Sequence, residues 1–388
     1  MKLSKWTAPL VALSLICATP LVSPSAATAS TRSTAAVSDL GEECKLQTAL
    51  AGRNQGWART RFEQCHRYTR SISLYRVGTL EYKGRIEFVF EILAFAQYGE
   101  RRVDFVVSLE DVKISPQLDH ELGFITVNIG GCKDVMNISC TGETSRTDAI
   151  AGWYNRPLFN PIIATSVGNS GTAPYSTVDM TAVTTITVEY RDGLTVPFTE
   201  PIAATRARFD SAGGPIGSAP QHGSVFRDYA PTLQLDRRPG SDHRQEAIHV
   251  DDALNNTNRT FPSFAGKAPP GAVGGGRPLH RLMGTRPDAN RLEARKVCLD
   301  VWGANYATGG LQCDEYPFAV TYEGAAMSTA GIGCGDSSEP VNANWRNWHG
   351  SARPIDGNHN SRGGSLLSAL FRTNRVLDCD EFYVNVVR

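Results

Sequence analysis

The stretch "RIEFVFEILAF", residues 85–95, decides the fold of the first half of the chain. Apolar side chains occupy every second position, and Glu87 and Glu91 fall between them. A period of two is typical of a strand with one buried and one solvated face. We therefore predict a half-buried antiparallel strand whose inward face carries Ile86, Phe88, Phe90 and Ile92.

The same period recurs on both sides of this strand. Residues 101–109, "RRVDFVVSL", and 184–190, "TTITVEY", alternate in the same way, which predicts a mostly antiparallel β domain over about 41–215. The stretch 206–242 carries "AGGPIGSAP" and "RRPGSD", and clusters of Gly, Pro and Ser are typical of a linker.

A second domain is predicted over 243–388. It opens on a short helical segment, "RQEAIHVDDAL" (244–254), and closes on a strand, "DEFYVNVV" (380–387). Between them, "NHNSRGGSLLSALFRTN" (358–374) is interpreted as a loop leading into an amphipathic helix. This mixture predicts an α+β domain.

The N-terminus indicates export. Lys2 and Lys5 precede an apolar run, and small residues ending in Ala27-Thr28-Ala29 follow, so residues 1–29 are predicted to be a cleaved signal peptide. No later segment is long and apolar enough to span a membrane, so we expect a secreted protein without stable membrane insertion. The formal net charge of zero excludes nucleic-acid binding by bulk charge, so any phosphate contact must be local.

The cysteines predict a disulfide-stabilised protein. Of nine cysteines, Cys17 lies in the signal segment, and no C-x-x-C occurs, which disfavours a zinc site. An even number in an exported chain favours disulfides. The expected pairs are Cys44–Cys65, Cys132–Cys140, Cys298–Cys313 and Cys334–Cys379.

Three carboxylates surround an apolar stretch in "QCDEYPFAVTYEGA", residues 312–325. Asp314, Glu315 and Glu323 fit a solvated turn, an acid/base pair or a set of ligands for a hard cation. Pro317 excludes a regular helix here, so a turn or a strand end must hold the acids. The neighbouring aromatic residues predict burial, and buried carboxylates need partners.

The stretch "NHNSRGGS", residues 358–365, is either an ordinary capped loop or an anion site. A Gly-rich loop entering a helix offers free backbone N–H groups to a phosphate. Asn360 can cap the helix or bind a metal through its amide oxygen, and Arg362 can grip a phosphate with two hydrogen bonds.

Residues of about 240–388 resemble the NucA/NucB-type deoxyribonucleases. That family carries Asp-Glu-Trp-Pro, Glu-Gly-Gly and Asp-Asn-Arg-Gly-Ala-Gly-Ser segments. They correspond here to DEYP at 314–317, EGA at 323–325 and HNSRGGS at 359–365, in the same order. The first 240 residues lie outside the resemblance.

The resemblance implies a secreted nuclease that cuts DNA with little sequence preference, uses Mg²⁺ or Mn²⁺, and has a ββα-metal core. It implies Asp314 as general base with Glu315 in support. The residues implied are Asp314, Glu315 and His280 in catalysis, Glu323 and Asn360 as metal ligands, and Arg362, Arg353 and His359 in contact with DNA.

Two other functions stay open from the sequence. The domain can be an exported nucleic-acid-binding protein that has lost activity. It can also be a glycoside hydrolase that uses Asp314 and Glu323 as acid and base, with Trp302, Trp345 and Trp348 lining a sugar groove. The β domain has no assigned role, and an inhibitor or a cell-envelope component is the partner we expect for it.

Overall fold

The computed structural model describes residues 34–130, 139–141, 144–155, 158–165, 177–214, 216–330, 333–334 and 344–388. The helices described are α1 Thr34–Leu46, α2 Thr48–Ala51, α3 Ile150–Asn155, α4 Arg244–Asn255, α5 Pro287–Trp302, α6 Ala325–Ala330 and α7 Gly357–Thr373. The strands are β1 Trp57–Thr60, β2 Glu63–Tyr75, β3 Tyr82–Ala96, β4 Arg102–Ile114, β5 Gly123–Gly130, β6 Ser139–Thr141, β7 Ser145–Ala149, β8 Leu158–Phe159, β9 Ile162–Ala164, β10 Thr177–Tyr190, β11 Phe198–Asp210, β12 Gly223–Phe226, β13 Thr232–Asp236, β14 Leu279–His280, β15 Leu311–Tyr316, β16 Ser351–Asp356 and β17 Glu381–Val387.

Two antiparallel sheets form the N-terminal part, as the alternation predicts. One sheet has the order β1-β2-β3-β4-β9-β6, and β8 also pairs with β4. The other sheet has the order β12-β11-β10-β5-β7. Side chains from both sheets share one core, among them Phe90 and Val107 from the first and Ile125 and Ile186 from the second. Burial of this apolar surface is the main stabilising contribution to the fold.

The strand at 85–95 lies within β3, and its predicted inward face is buried. Its other face differs from the prediction, because Glu91 is only 5% exposed. Beyond Glu91, Leu93 and Phe95 pack with Leu40 of α1 in a second small core. Since the end of β3 is covered on both faces, Glu91 needs a partner, and Arg67 lies 2.5 Å from it.

Residues 206–242, expected to be a linker, contain regular structure. They hold the end of β11, all of β12 and all of β13. Strand β12 extends the second N-terminal sheet, whereas β13 pairs in parallel with β17 near the C-terminus. The domain limits at 215 and 243 stay a prediction.

Buried ion pairs connect the N-terminal and C-terminal parts. Asp380 accepts hydrogen bonds from Arg61 at 2.9 Å and from Arg208 at 2.6 Å. Arg375 donates from Nε to Asp210 at 3.0 Å. All five side chains are less than a tenth exposed, so the two parts share a polar, desolvated junction.

The C-terminal part mixes helices and strands. Its sheets are β13-β17-β14 and the antiparallel pair β15-β16, and α7 begins directly after β16. The predicted helix at 244–254 and the closing strand are confirmed as α4 and β17.

The predicted anion loop at 358–365 is wrong, because this stretch forms the first turns of α7. Asp356 is the N-cap, and its Oδ1 accepts the backbone N–H groups of Asn358 and His359 at 2.9 and 3.2 Å. A side chain of the protein therefore satisfies the donors that were expected to bind a phosphate.

Three disulfides are present in the described residues. Cys44–Cys65, Cys298–Cys313 and Cys334–Cys379 are three of the four expected pairs. Cys132 of the fourth pair and the predicted signal peptide, residues 1–29, lie outside the described residues. Among the helices that the structure describes, none is long and apolar enough to cross a membrane.

Candidate functional site

Asp314 lies in β15 with its side chain turned into the protein. Strand β15 pairs with β16 so that Asp314 stands opposite Arg353, and Pro317 follows the strand end. The expectation that a turn or a strand end holds the acids is therefore confirmed, since Asp314 and Glu315 lie near the end of β15 and Glu323 lies in the turn beyond it. Asp314 is 4% exposed, whereas its neighbour Glu315 is half-buried.

His249 of α4 holds the Asp314 carboxylate. His249 Nδ1 lies 2.6 Å from Asp314 Oδ2, and Nε2 lies 2.7 Å from Ser351 Oγ. Burial lowers the pKa of His249 against the opposing pull of the Asp314 charge, so the imidazole is neutral. A carboxylate only accepts, so Nδ1 carries the proton and donates to Asp314, and Ser351 donates to Nε2.

The order Ser351–His249–Asp314 follows the hydrogen-bond sequence of a serine-hydrolase triad. Ser351 is only 1% exposed, however, and it does not line the neighbouring cleft. A substrate has no access to this hydroxyl, so the chain of hydrogen bonds fixes Asp314 and supplies no nucleophile.

Glu246 lies one turn before His249 on the same face of α4. It is 2% exposed, and its Oε2 makes no hydrogen bond within the described residues. Burial, Asp314 and Glu315, in that order, raise the pKa of Glu246 to about 10. Gly363 of α7 packs against this carboxylate, and a Cβ there would collide with it.

The acids open into a cleft of about 570 Å³. Burial and then the Asp314 charge raise the pKa of Glu315 to about 8, while Arg291 opposes the shift. Asn360 lies across the cleft and donates from Nδ2 to Gln312 Oε1 at 3.0 Å. The polar lining consists of Glu246, Asp314, Glu315, Gln312, Asn360, Ser368, Tyr306, Arg281, Arg291 and Arg295.

His280 and Glu323 form a separate buried pair. His280 Nδ1 lies 2.8 Å from Glu323 Oε1, and the backbone N–H of His280 donates to the same carboxylate at 3.1 and 3.2 Å. Neither residue lines the cleft. Of the residues predicted for catalysis and metal binding, the structure thus brings Asp314, Glu315 and Asn360 together in the cleft. It places His280 and Glu323 outside the cleft.

The cations predicted to contact DNA are paired outside the cleft. Arg353 Nη1 donates to Asp252 at 3.0 Å, and Arg362 Nε donates to Asp242 at 2.6 Å. His359 Nδ1 is buried and makes no hydrogen bond within the part of the chain that the structure describes. None of the three lines the cleft.

The cleft fits a hard cation through its donor chemistry. Its oxygen donors are carboxylates and amides, which Mg²⁺, Mn²⁺ and Ca²⁺ prefer. Glu246 supplies an unpaired buried oxygen beside two further carboxylates. In the described residues no three His, Cys, Asp or Glu side chains converge on one point, so such an ion would keep several waters, as Mg²⁺ usually does.

Sequence reasoning missed Glu246, His249 and Ser351. A signal for the first two was present, since positions 246, 249, 250 and 253 follow the spacing of one helix face. Two polar residues on the inward face of an amphipathic helix indicate a buried polar site. Ser351 carried no comparable signal.

Residues 285–385 match the family model described as deoxyribonuclease NucA/NucB. The match includes β15, β16 and α7, whereas α4 with Glu246 and His249 precedes it. Neither a curated protein nor a solved structure matches the chain.

Proposed function

From this family match we propose that the chain is a secreted, metal-dependent endonuclease that hydrolyses DNA phosphodiester bonds with little sequence preference. The observation that carries the proposal is the cleft lined by β15 and α7 of the matched segment, where His249 of the preceding α4 holds Asp314 beside Glu246, whose Oε2 makes no hydrogen bond within the described residues. The disulfides fit an oxidising compartment, which supports secretion.

Hydrolysis of a phosphodiester requires an in-line water that loses a proton and stabilisation of charge on the phosphate. Asp314 is the proton acceptor in this proposal. His249 donates to one of its oxygens, which orients the carboxylate and leaves the other oxygen for the water. The neutral imidazole cannot itself take the proton from the water, because both ring nitrogens are engaged inside the protein.

We place the divalent cation, Mg²⁺ or Mn²⁺, at Glu246 and Asn360, with Glu315 beside them. When bound, such an ion neutralises charge that develops on the phosphate. Glu323 was the other expected ligand, but its carboxylate already accepts the backbone and ring N–H groups of His280. Within the described residues, Glu246 has an oxygen without a hydrogen bond, whereas both oxygens of Glu323 accept one, so we favour Glu246. In this proposal β15, β16 and α7, with α6 between the two strands, form a ββα-metal motif.

The His280–Glu323 pair has a positioning role in this proposal. It joins β14 to the turn after β15, and Trp348 Nε1 donates to the backbone carbonyl of Glu323 at 2.9 Å. The pair keeps the wall of the cleft in place, because Leu282, just after β14, and Ala319, in the turn after β15, line the cleft.

The glycoside-hydrolase alternative requires Asp314 and Glu323 to face one substrate. Glu323 does not line the cleft of Asp314, and none of the three predicted tryptophans lines it either. Trp348 is fully buried, and Trp302 packs edge-on against Phe261. These placements favour the nuclease.

The test uses the full chain purified in oxidising buffer, because β13 and the buried ion pairs connect the C-terminal part to the rest. Supercoiled plasmid is incubated with Mg²⁺, with Mn²⁺ and with EDTA. We expect nicking and then degradation with either metal, and none with EDTA. Plasmid that stays intact with every metal overturns the proposal, and plasmid bound but uncut identifies an inactive binding protein.

The N-terminal β part retains a proposed partner, an inhibitor or a component of the cell envelope. Its sheets contribute no residue to the cleft. The N-terminal part contacts the C-terminal part through Arg61 and Arg208, which pair with Asp380. A partner bound to the N-terminal part can therefore act on the nuclease through this junction, without entering the cleft.

A further inference from the structure

Two arginines of α5 line the cleft that contains the acids. Arg291 and Arg295 are four residues apart, so they lie one above the other on one face of the helix. Arg291 is close enough to Glu315 to oppose the rise in its pKa. Both guanidinium groups therefore lie at the mouth of the site that holds Asp314.

These two guanidinium groups are available to a ligand. The only partner of Arg291 within the described residues is Asp288, whose side chain is 80% exposed, and such surface pairs exchange readily. Arg295 donates from Nε to Tyr306 at 3.1 Å, which orients the group, and within the described residues neither of its Nη atoms has a hydrogen-bond partner.

The third cation of the cleft is already committed. Arg281 donates to the backbone carbonyl of Val376, and its guanidinium lies 4.4 Å from the centre of the Phe371 ring. The arginines predicted to contact DNA, Arg353 and Arg362, do not line this cleft. Arg291 and Arg295 are thus the cations placed for a phosphate in this cleft.

A disulfide fixes the distance between these arginines and the acids. Cys298 follows Arg295 by three residues on α5, and its partner, Cys313, immediately precedes Asp314. The covalent bond ties the arginine face of α5 to the acidic strand β15. A phosphate gripped by α5 is therefore held at a defined position relative to Asp314.

We infer that Arg291 and Arg295 form a clamp for the phosphodiester backbone of DNA and that the Cys298–Cys313 bond positions this clamp. The inference rests on the proposed function. A guanidinium binds two phosphate oxygens at once, and contacts of this kind carry no sequence information. The clamp thus explains how a chain of zero net charge binds DNA without reading its bases.

The experiment measures binding of a short fluorescent DNA duplex to the full chain in EDTA at a series of salt concentrations. The variant is Arg291→Gln/Arg295→Gln. The matched control is Lys296→Gln, since Lys296 is exposed on the same helix, pairs with Glu293 and does not line the cleft. A third protein, Arg291→Lys/Arg295→Lys, keeps the charges and removes the planar fork.

We expect the double glutamine variant to lose about tenfold in affinity per arginine and to reduce the magnitude of the negative slope of log K against log salt by about 1.8. The lysine variant should keep the slope and recover only part of the affinity. A double glutamine variant that matches Lys296→Gln overturns the clamp.

The test also separates the clamp from the proposed reaction. If the wild-type protein cuts DNA but Arg291→Gln/Arg295→Gln has the same slope of log K against log salt, the clamp alone is refuted. Wild-type protein that binds DNA with a slope that Arg291→Gln/Arg295→Gln reduces as predicted, but that cuts nothing, refutes the reaction alone. Wild-type protein that does not bind the duplex refutes both.

Discussion

His249 Nδ1 lies 2.6 Å from Asp314 Oδ2, and both side chains are buried. The two residues come from different elements, 65 positions apart. The hydrogen bond fixes one carboxylate oxygen and directs the other, which makes His249 a positioning residue for the proposed proton acceptor.

We predict that His249→Phe lowers kcat by about ten- to hundredfold and leaves KM nearly unchanged, because His249 orients Asp314 and does not line the cleft. The free energy of unfolding should fall by about 1–3 kcal/mol, since Asp314 loses a buried partner. Ser351→Ala is the control, as it removes only the outer hydrogen bond and should have the smaller effect. An unchanged kcat in folded His249→Phe protein would contradict the positioning role.

The place of the cation can be decided between two glutamates. We predict that Mg²⁺ or Mn²⁺ raises the Tm of the wild-type protein and that Glu246→Gln removes most of this rise, because binding to the folded state stabilises it. Glu323→Gln is the matched control, since it makes the same substitution beside His280 and should keep the rise. The reverse result would place the cation at Glu323.

The Cys298–Cys313 bond should affect both stability and rate. Cys298→Ser/Cys313→Ser should lower the free energy of unfolding by about 3 kcal/mol, given a separation of 15 residues. DNA cleavage per folded molecule should also fall, because α5 loses its tie to β15. Cys44→Ser/Cys65→Ser should cost similar stability and keep the rate, since that bond lies in the N-terminal part. Equal rates in the two variants would argue against a positioning disulfide.

The junction around Asp380 should be sensitive to acid. Loss of hydration alone would raise the pKa of Asp380, but Arg61 and Arg208 hold it at about 2. A lowered carboxyl pKa stabilises the fold above the unfolded value of 3.8, and this contribution, about 2 kcal/mol, is lost as the pH falls through about 2.

Urea unfolding between pH 5 and pH 2 measures this dependence. Asp380→Asn should remove this dependence and cost about 3–5 kcal/mol at neutral pH, because Arg61 stays buried without its carboxylate and Arg208 keeps only Asp210, 3.8 Å away. Asp179→Asn, which breaks a surface pair with Arg227, should cost less than about 1 kcal/mol. A pH profile for Asp380→Asn that parallels the wild type would refute the assignment.

The sequence predicted the β part well because alternation reports directly on burial. The prediction that Glu91 is solvated was wrong. A period of two shows that one face of the strand is covered, but it does not show that α1 covers the other face. The supposed loop at 358–365 was a helix, and the signal overlooked was Asp356, a good N-cap immediately before Gly357.

For the candidate site, the sequence singles out Asp314 and Glu315 because they are adjacent in a specific motif, and both line the cleft. The roles of Arg353 and Arg362 were harder to predict, because their partners lie more than 100 positions away in sequence. Such pairings arise only from tertiary packing. The spacing of Glu246 and His249 was visible, but a polar residue on a helix face indicates a site only once burial is known.

The rate of plasmid cleavage by Asp314→Asn in Mg²⁺, relative to wild-type protein and to Asp300→Asn, tests the central claim most directly. Asp300 is an exposed acid near the end of α5 that pairs with Arg346, so its loss changes the formal charge without touching the cleft or the two clamp arginines. The account predicts cleavage lowered by at least about a hundredfold in Asp314→Asn and nearly unchanged in Asp300→Asn. Cleavage by folded Asp314→Asn protein at the wild-type rate would contradict it.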